Sequence, residues 1–502
     1  MSKFPDTPEQ TSVIETVTQT SDNIIIRALA GAAKTSTLIR IAESLPKVSI
    51  LCLAFNKRIA VEMQERLPPN CTAMTLNSLG HRVWADAISP RLKVVTDKNY
   101  NLLNDELKKL PKGEQNIAYN EFSDILKIID FGKSCGYIPT GQFKEAKALM
   151  NDAEFFRHLE EEPSRLVEDL VRAVTIKSIE MAKQGYIDFG DQILMPTLFP
   201  SMFPHYPLVM VDETQDLSAL NHATLRKLAK KRLIAVGDEN QSIYGFRGAH
   251  QNSMELLQET FSMKSKVLSV SFRCPIAVVK EAQWRAPHMQ WPEWAKPGIV
   301  QNLFEWDADS IPEEAAIICR NNAPLFSMAI KLLKNGRLPR LIGNDIGAGL
   351  LKIMKKFGKT SLSFDEVMIA IAQWTEDTLK KTRSKNKVYD KAECMKIFAR
   401  QGRTLGEAIV YAEHLFASQG PIQLMTGHKA KGLEFDTVFF LDHGLMNMED
   451  DQDRNLKYVV QTRSKNELYY VESSDFVDHT QRTSDDMAYD HGPSTISQTP
   501  AI

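Results

Sequence analysis

The sequence has no excess of charge of either sign. Its 502 residues carry 61 Lys and Arg against 63 Asp and Glu, which leaves a formal net charge of −2. Overall basicity is therefore no indication of nucleic-acid binding, although a neutral protein can still carry a local basic channel. The charge balance by itself excludes few functions.

Paired cysteines and long apolar runs are also missing. The six cysteines are scattered without any C-x-x-C pair, so neither a zinc site nor a disulfide framework is predicted, and a reducing compartment is the simplest interpretation. The N-terminal segment has no apolar core of a signal peptide, and no run approaches 18 apolar residues. We expect an intracellular protein that does not span a membrane, in the cytoplasm or nucleoid of a bacterial or phage-infected cell, or in a nucleus.

Short apolar runs that alternate with helical patterns dominate the rest of the chain. A length of 502 residues predicts three or four domains at about 150 residues each. Strands followed by helices favour a parallel α/β sheet, whose ligands bind beyond the carboxyl ends of the strands. The first four predicted strand segments are Asn23–Gly31, Val48–Phe55, Pro207–Glu213 and Arg232–Glu239.

Two mainly helical stretches interrupt this pattern and give a predicted domain organisation. The α/β pattern returns after residue 265, and the chain beyond residue 471 is polar, acidic and rich in Ser, Thr and Asp, as in disordered tails. The predicted parts are a first α/β domain (1–88 and 204–265), a helical insertion (89–203), a second α/β domain (266–346 and 419–471), a short second insertion (347–418) and a disordered acidic tail (472–502).

The stretch RALAGAAKTSTL, residues 27–38, resembles a phosphate-binding loop with two departures. The usual pattern is G-x-x-x-x-G-K-[ST], and here Ala28 and Ala33 occupy the two glycine positions. The segment lies between a predicted strand and a predicted helix, so the backbone N–H groups of residues 30–36 can face phosphate oxygens. Lys34 would pair with the β- and γ-phosphates, and the Thr35 hydroxyl would bind Mg²⁺.

The backbone conformation of Ala33 determines whether the loop can bind a nucleotide without strain. A glycine at this position would tolerate a positive φ and a close approach of the backbone to phosphate. If the backbone of Ala33 is near helical φ, the methyl group matters little; if φ is positive, the loop is strained. We expect the first geometry and a functional pocket.

Adjacent carboxylates follow the apolar run PLVMV. Asp212 and Glu213 stand at the end of this predicted strand, in VMVDETQD. One carboxylate can hold Mg²⁺ through water while its neighbour orients or deprotonates the attacking water. Together with the lysine–threonine loop they predict nucleotide hydrolysis.

The stretch VGDENQSIYGFRGA, residues 236–249, resembles motif III of the UvrD/Rep-type superfamily 1 DNA helicases. Other helicase motifs resemble segments from Thr7 to Val471, including LMTGHKAKGLEFDTVFFLD (residues 424–442) and RNLKYVVQTRSKNELYYV (residues 454–471). The resemblance implies two RecA-like parallel-sheet domains, each with a mainly helical insertion. It is weak inside the two insertions.

The resemblance also implies roles around ATP and DNA. Gln10 would read adenine and Phe272 would stack on it, and Glu434 would lie near the ribose. Gln241, Arg273 and the arginine finger Arg463 would reach the γ-phosphate, with both arginines in the second domain and ATP bound between the domains. The DNA-contacting residues would be Phe55, Asn56, Thr75, Asn77, Tyr244, Phe246, Arg247, Thr426 and His428; the family usually has His where this chain has Asn77.

These patterns predict an ATP- and Mg²⁺-dependent DNA helicase of replication, repair or recombination. The resemblance implies 3′-to-5′ movement on single-stranded DNA, binding to junctions between single and double strands, and action as a monomer. The acidic tail is a candidate contact for a protein partner. Two alternatives stay open: a translocase that strips proteins from single strands with little unwinding, and a DNA-binding scaffold whose ATPase has decayed.

Overall fold

The computed structural model describes residues 5–159, 162–245, 252–343, 345–380 and 385–478. These residues form two compact units. The first consists mainly of the chain through Ala295 together with Met448–Tyr458, and the second of Lys296–Asp377, Ser384–Asn447 and the chain from Val459. Each unit is built on one six-stranded sheet.

All strand pairs of the first sheet are parallel. The strands are β1 (Ile24–Ala28), β2 (Ile50–Ala54), β3 (Cys71–Thr75), β6 (Leu208–Val211), β7 (Leu233–Gly237) and β8 (Lys264–Leu268). Their spatial order is β3-β2-β6-β7-β1-β8. Connections between parallel neighbours need a crossover, which helices supply here.

The central strands are almost entirely apolar, with Arg27 of β1 as an exception, because both faces of the sheet are covered. In β1, Ile24 and Ile26 pack into a core on one face and Ile25 packs into a core on the other, and all three side chains are fully buried. Continuous apolar strands of this kind are typical of parallel sheets. The polar residues that follow the strands are thereby brought to one edge of the sheet.

The helices of the first unit fall into two groups. Those that pack on the sheet are α1 (Pro8–Gln19), α2 (Lys34–Ser44), α3 (Lys57–Arg66), α4 (Leu76–Ala87), α11 (Ala219–Leu228) and α12 (Ser253–Thr260), and α13 (Ile276–Ala282) follows β8 in the chain. Those of the first insertion are α5 (Lys98–Leu107), α6 (Lys112–Asn120), α7 (Phe122–Cys135), α8 (Asp152–Arg157), α9 (Arg165–Lys183) and α10 (Asp191–Leu198), with the two-residue strands β4 (Lys93–Val94) and β5 (Tyr186–Ile187) pairing in parallel.

A buried ion network fixes the end of this insertion. The ammonium group of Lys133 contacts Asp188 at 2.5 Å and Asp191 at 2.7 Å, and Lys98 also contacts Asp191. Burial opposes the charge of each group, but the two lysines hold the pKa of Asp188 down at about 2, and the two aspartates raise the pKa of Lys133. The network ties α5 and α7 to the turn that leads into α10.

The second unit repeats the parallel arrangement. Its strands are β9 (Ile299–Leu303), β10 (Ala316–Cys319), β11 (Pro339–Leu341), β12 (Ile422–Thr426), β13 (Phe435–Leu441) and β14 (Ser464–Val471). The order in the sheet is β11-β12-β10-β13-β14-β9, again with all strand pairs parallel. The helices are α14 (Asn322–Lys334), α15 (Asp345–Met354), α16 (Phe364–Leu379), α17 (Lys385–Ala399), α18 (Leu405–Ala417), α19 (Gly427–Ala430) and α20 (Asp451–Gln461), the last of which begins in the first unit.

Three boundaries differ from those expected from the sequence. Met448–Tyr458 belongs to the first unit, although residues 419–471 were expected in the second α/β domain. Strand β8 pairs with β1, so the chain from residue 266 to Ala295 belongs to the first unit rather than to the second. The first residues after 471 are ordered, not disordered as expected: Phe476 packs into the core of the second unit, and the indole of Trp306 donates to the Glu472 carbonyl at 3.0 Å. Of the tail, residues 479–502 lie outside the described residues. No helix in the described ranges is long and apolar enough to cross a membrane.

Candidate nucleotide site and nucleic-acid contacts

The loop between β1 and α2 uses two residues in the left-handed region. Gly31 has φ 74°, and Ala33 has φ 57° and ψ 38° as the residue before α2. The expectation of near-helical φ at Ala33 is therefore wrong. The chain must reverse from strand to helix within a few residues, and the Ala33 carbonyl accepts the Thr37 N–H at 2.9 Å, which fixes that conformation at the start of α2.

Gly31 is required by a close approach of another segment. A Cβ on Gly31 would lie 2.5 Å from the Ser271 hydroxyl oxygen and 2.7 Å from the Arg273 Cβ. The Phe272 N–H also donates to the Gly31 carbonyl at 2.9 Å. Arg273 thus lies against the phosphate loop, and it does so within the first unit, not in the second as expected.

The strand-end carboxylates meet the loop as predicted from the sequence. The Lys34 ammonium donates to Glu213 Oε2 at 3.0 Å, and the Thr35 hydroxyl donates to Asp212 Oδ2 at 3.1 Å. The Glu213 N–H donates to Asp212 Oδ1 at 2.8 Å, and Glu213 itself is left-handed at φ 52°. Backbone strain of this kind is common at functional sites.

Burial and neighbouring charges shift the ionisation of this cluster. Burial, reinforced by the charge of Glu213, raises the pKa of Asp212 to about 6. Burial works against the Lys34 ammonium, but Glu213, Asp212 and Asp238 together raise its pKa. Lys34 is therefore a cation held among three carboxyl groups, in a place where a ligand phosphate would compete with them.

The chemistry of Thr35 and Asp212 fits Mg²⁺. Among the described residues there is no cluster of three or more His, Cys, Asp or Glu side chains that could hold a metal alone. Mg²⁺ bound to nucleotides needs fewer protein ligands, because phosphates and water complete its octahedron. A hydroxyl and a carboxylate oxygen 3.1 Å apart are suited to that role.

Polar side chains behind the phosphate loop and the two carboxylates include three that were not predicted from the sequence: Asp238, Gln215 and Tyr458. Asp238, 2% exposed, accepts from Gln241 Nε2 at 2.6 Å, and its N–H donates to Gln215 Oε1 at 3.0 Å. The fully buried Tyr458 hydroxyl accepts the Ala30 N–H of the loop at 3.0 Å. Asp238 follows a buried strand as Asp212 does, and this position could have indicated from the sequence that it belongs to the site. No feature of the neighbouring sequence indicates such a role for Tyr458.

The remaining predicted ATP contacts of the first unit have structural partners. Gln10 is 3% exposed and forms a capping box with Thr7 at the start of α1, while its Nε2 donates to Thr37 at 3.1 Å. Phe272 packs beside Trp294 with ring centroids 5.9 Å apart. Ser36 accepts from Arg66 at 3.2 Å. Adenine recognition by Gln10 and Phe272 stays a prediction.

An aromatic pair stands at the strand ends beside the nucleotide site. Phe55 is 44% exposed, and its ring stacks on Tyr244 at 5.9 Å with an interplanar angle of 9°. Phe55 therefore does not belong to the core. Phe246 and Arg247 lie outside the described residues.

Three polar residues predicted to meet DNA have local partners in the first unit. Asn56 and Thr75 cap α3 and α4 by accepting from Ile59 N and Ser78 N. Asn77 Nδ2 donates to the carbonyl of Phe189 at 2.7 Å, and Phe189 is 61% exposed. Phe189 is a further exposed aromatic that the sequence analysis did not single out.

The second unit carries the other predicted residues. Thr426 is half-buried at the start of α19, His428 is half-buried within that helix, and Glu434 is exposed before β13. Arg463 is 1% exposed, and its guanidinium donates to the carbonyls of Val459 at 2.8 Å and Leu433 at 3.3 Å. Its role as an arginine finger stays a prediction.

Parallel sheet, phosphate loop and strand-end carboxylates are arranged here as in P-loop NTPases, and the second parallel sheet gives the chain two RecA-like domains. The chain belongs to the UvrD/REP helicase family, since residues 7–262 match the UvrD/REP helicase N-terminal domain and residues 421–471 match the UvrD-like helicase C-terminal domain. This confirms the resemblance seen in the sequence.

Individual relatives are distant. The chain is 24% identical over 489 residues to F-box DNA helicase protein 1 of Schizosaccharomyces pombe, covering 86% of this chain and 52% of that protein. It is 23% identical to DNA helicase II of Haemophilus influenzae, covering 52% and 38%, and 24% identical to ATP-dependent DNA helicase PcrA of Leuconostoc citreum, covering 61% and 43%. The chain thus spans about half or less of the length of these relatives.

Proposed function

We propose that this chain is an ATP-driven DNA translocase that moves 3′ to 5′ on single-stranded DNA and unwinds duplexes. The observation that carries the proposal is the joint placement of Lys34, Thr35, Asp212 and Glu213, from two separate stretches of sequence, within hydrogen-bonding distance of one another. A decayed ATPase would be expected to lose part of this set. The family membership and the names of the relatives support the same activity.

Each side chain has a distinct part in hydrolysis under this proposal. Lys34 releases Glu213 to pair with the β- and γ-phosphates, and the freed Glu213 carboxylate orients water for in-line attack and accepts its proton. Thr35 and Asp212 would hold Mg²⁺, which would supply positive charge against the phosphates. Gln241, held by Asp238 in the turn after β7, would sense the γ-phosphate, and the charge of Asp238 acts on Lys34, which supports this role.

The aromatic pair Phe55 and Tyr244 supplies the proposed track for bases. Base stacking on an aromatic side chain is worth about 1–3 kcal/mol per base and is largely independent of sequence. Phe55 follows β2 and Tyr244 follows β7, the strands on either side of the one that carries Asp212 and Glu213. A change at the nucleotide can therefore reach the bases through a short path within the first unit.

Strand displacement tests the proposal and its polarity. A labelled strand is annealed to give a 3′ tail, a 5′ tail or a blunt end, and its release is followed with ATP and Mg²⁺. We expect release from the 3′-tailed duplex alone, and none with Glu213→Gln. Release from the 5′-tailed duplex alone would contradict the proposed direction.

A streptavidin block on single-stranded DNA separates unwinding from protein stripping. If ATP-dependent removal of streptavidin occurs without duplex displacement, the chain is a stripping translocase. If neither occurs, the motor proposal fails. Action as a monomer and a protein partner for the tail stay predictions, which size measurement on DNA and pull-down with and without residues 479–502 would check.

A further inference from the structure

A cationic cavity lies on the first unit, away from the strand ends that carry the nucleotide site. Its volume is about 430 Å³, and its walls come from the first insertion, from the segment that leads into β6 and from α11. That segment precedes the amino end of β6, whereas Asp212 follows the carboxyl end. The volume falls in the range of about 300–1,000 Å³ that is typical of small-ligand pockets.

Three lysines, Lys147, Lys227 and Lys230, line this cavity. Lys227 Nζ donates to the Pro196 carbonyl at 3.3 Å, and no carboxylate is paired with it in the described ranges. Neither Lys147 nor Lys230 forms an ion pair with any residue that the structure describes. Burial, together with the nearby charges of Lys147 and Lys230, lowers the pKa of Lys227. The three ammonium groups are therefore close enough to repel one another, and none is paired with a carboxylate of a described residue.

The acidic side chain in the wall does not neutralise them. Glu145 lines the cavity, but its carboxylate is paired with Lys183 at 2.6 Å. The Lys183 ammonium lies 6.0 Å from the ring centre of Phe199, a residue that lines the cavity, so it is held beside the wall. An anion that entered the cavity would meet lysine ammonium groups first.

Apolar surface stands next to these charges. Phe203, half-buried, lies under Lys227 with the ammonium 5.9 Å from the ring centre, and Phe199 and Pro204 also line the cavity. A lysine ammonium binds phosphate as a point charge, and an aromatic face accepts a base or sugar beside it. The combination suits a nucleotide unit better than a simple acidic peptide.

We infer that this cavity is a second anion site, which takes the phosphate of a nucleotide unit with its base or sugar against Phe203. The source is either a single-stranded DNA segment or a free phosphate compound. The inference depends on the proposed function only for the first source. The lysines contribute binding and no chemistry, so hydrolysis in the absence of DNA should not depend on them.

The test compares two double variants that remove the same charge. Lys147→Ala/Lys230→Ala removes two of the three lysines that line the cavity. Lys144→Ala/Lys231→Ala removes two exposed lysines that are close to them in sequence but outside the cavity. Binding of a labelled oligothymidylate is measured over a series of salt concentrations, and binding of inorganic pyrophosphate is measured by calorimetry. Lys147→Arg/Lys230→Arg serves as the charge-preserving rescue.

If a DNA strand occupies the cavity, the affinity for oligothymidylate should depend less on salt concentration in Lys147→Ala/Lys230→Ala, and not in the control variant. The slope of log K against log salt should shrink by about 0.7 for each phosphate that a lysine no longer neutralises, or about 1.4 for two. If the slope is unchanged but the pyrophosphate binding that persists in a Lys34→Ala background is lost when the two cavity lysines are also replaced, and not when the control pair is, the site takes a free phosphate. The arginine variant should restore either effect.

Equal effects in both double variants, or no effect in either assay, would overturn the inference. Competition by oligoglutamate as strong as that by pyrophosphate would also overturn it, since the cavity would then bind carboxylates of an acidic peptide. DNA-stimulated ATP turnover of the unmodified chain is recorded separately. Its absence would refute the proposed motor while leaving the pyrophosphate result to decide on the cavity.

Discussion

Replacing Ala33 with glycine should strengthen both the fold and the binding of ATP. Ala33 holds φ 57° and ψ 38°, a conformation that disfavours a residue with a Cβ by roughly 1–2 kcal/mol. Glycine removes that strain but adds about 0.4–1 kcal/mol of unfolded-state entropy. The net gain in unfolding free energy is then about 0.5–1 kcal/mol. If the loop leaves this conformation when ATP is absent and adopts it when ATP binds, the same free energy corresponds to about a two- to fivefold tighter complex.

The neighbouring alanine provides the matched control. Ala32 is 1% exposed and does not have a positive φ, so Ala32→Gly should only lower stability, by about 0.5–1 kcal/mol. Denaturant unfolding and the KM for ATP in DNA-stimulated turnover are measured for both variants. If Ala33→Gly is no more stable than the unmodified chain and binds ATP no better, the strain argument is refuted.

Three further substitutions probe separate parts of the structure. Lys133→Met leaves two buried aspartates without their main partner and should destabilise the first unit by about 3–5 kcal/mol, whereas Lys127→Met on the exposed face of α7 should change the unfolding free energy by less than about 1 kcal/mol. Tyr458→Phe leaves the Ala30 N–H without its acceptor and should raise the KM for ATP and lower stability by about 1–3 kcal/mol; unchanged values of both would show that this hydrogen bond is unimportant. Phe55→Ala should weaken oligothymidylate binding by about 1–3 kcal/mol in anisotropy titrations, and equal affinity would remove this ring from the DNA track.

The parallel sheets were predictable where the strands are buried on both faces. Leu208–Val211 is apolar without interruption, and Ile24–Ala28 is apolar except for Arg27, so the sequence indicates both as strands. Ile299–Leu303 was not predicted, because it is an edge strand with exposed residues and polar side chains. Cys71–Thr75 was missed for the same reason: it is also an edge strand, and its alternating polar residues interrupt the apolar run.

The nucleotide site shows which details depend on the folded chain. Lys34 and Glu213 could be paired from sequence, because the end of a parallel strand and a phosphate loop meet at one edge of the sheet. The φ of Ala33 and the hydrogen bond from the Ala30 N–H to the Tyr458 hydroxyl could not be predicted, since both result from how distant segments fill the space around the loop. The unit to which Arg273 belongs likewise follows from the pairing of β8 with β1, which no local pattern encodes.

ATP turnover with and without single-stranded DNA tests the central claim most directly. The unmodified chain should hydrolyse ATP slowly alone and much faster with an oligothymidylate, while Lys34→Ala and Glu213→Gln should show no stimulation. Glu213→Gln should still bind ATP, because Lys34, Thr35 and Asp212 are intact. Turnover that does not respond to DNA, or that survives Lys34→Ala, would contradict a DNA-driven motor built on this site.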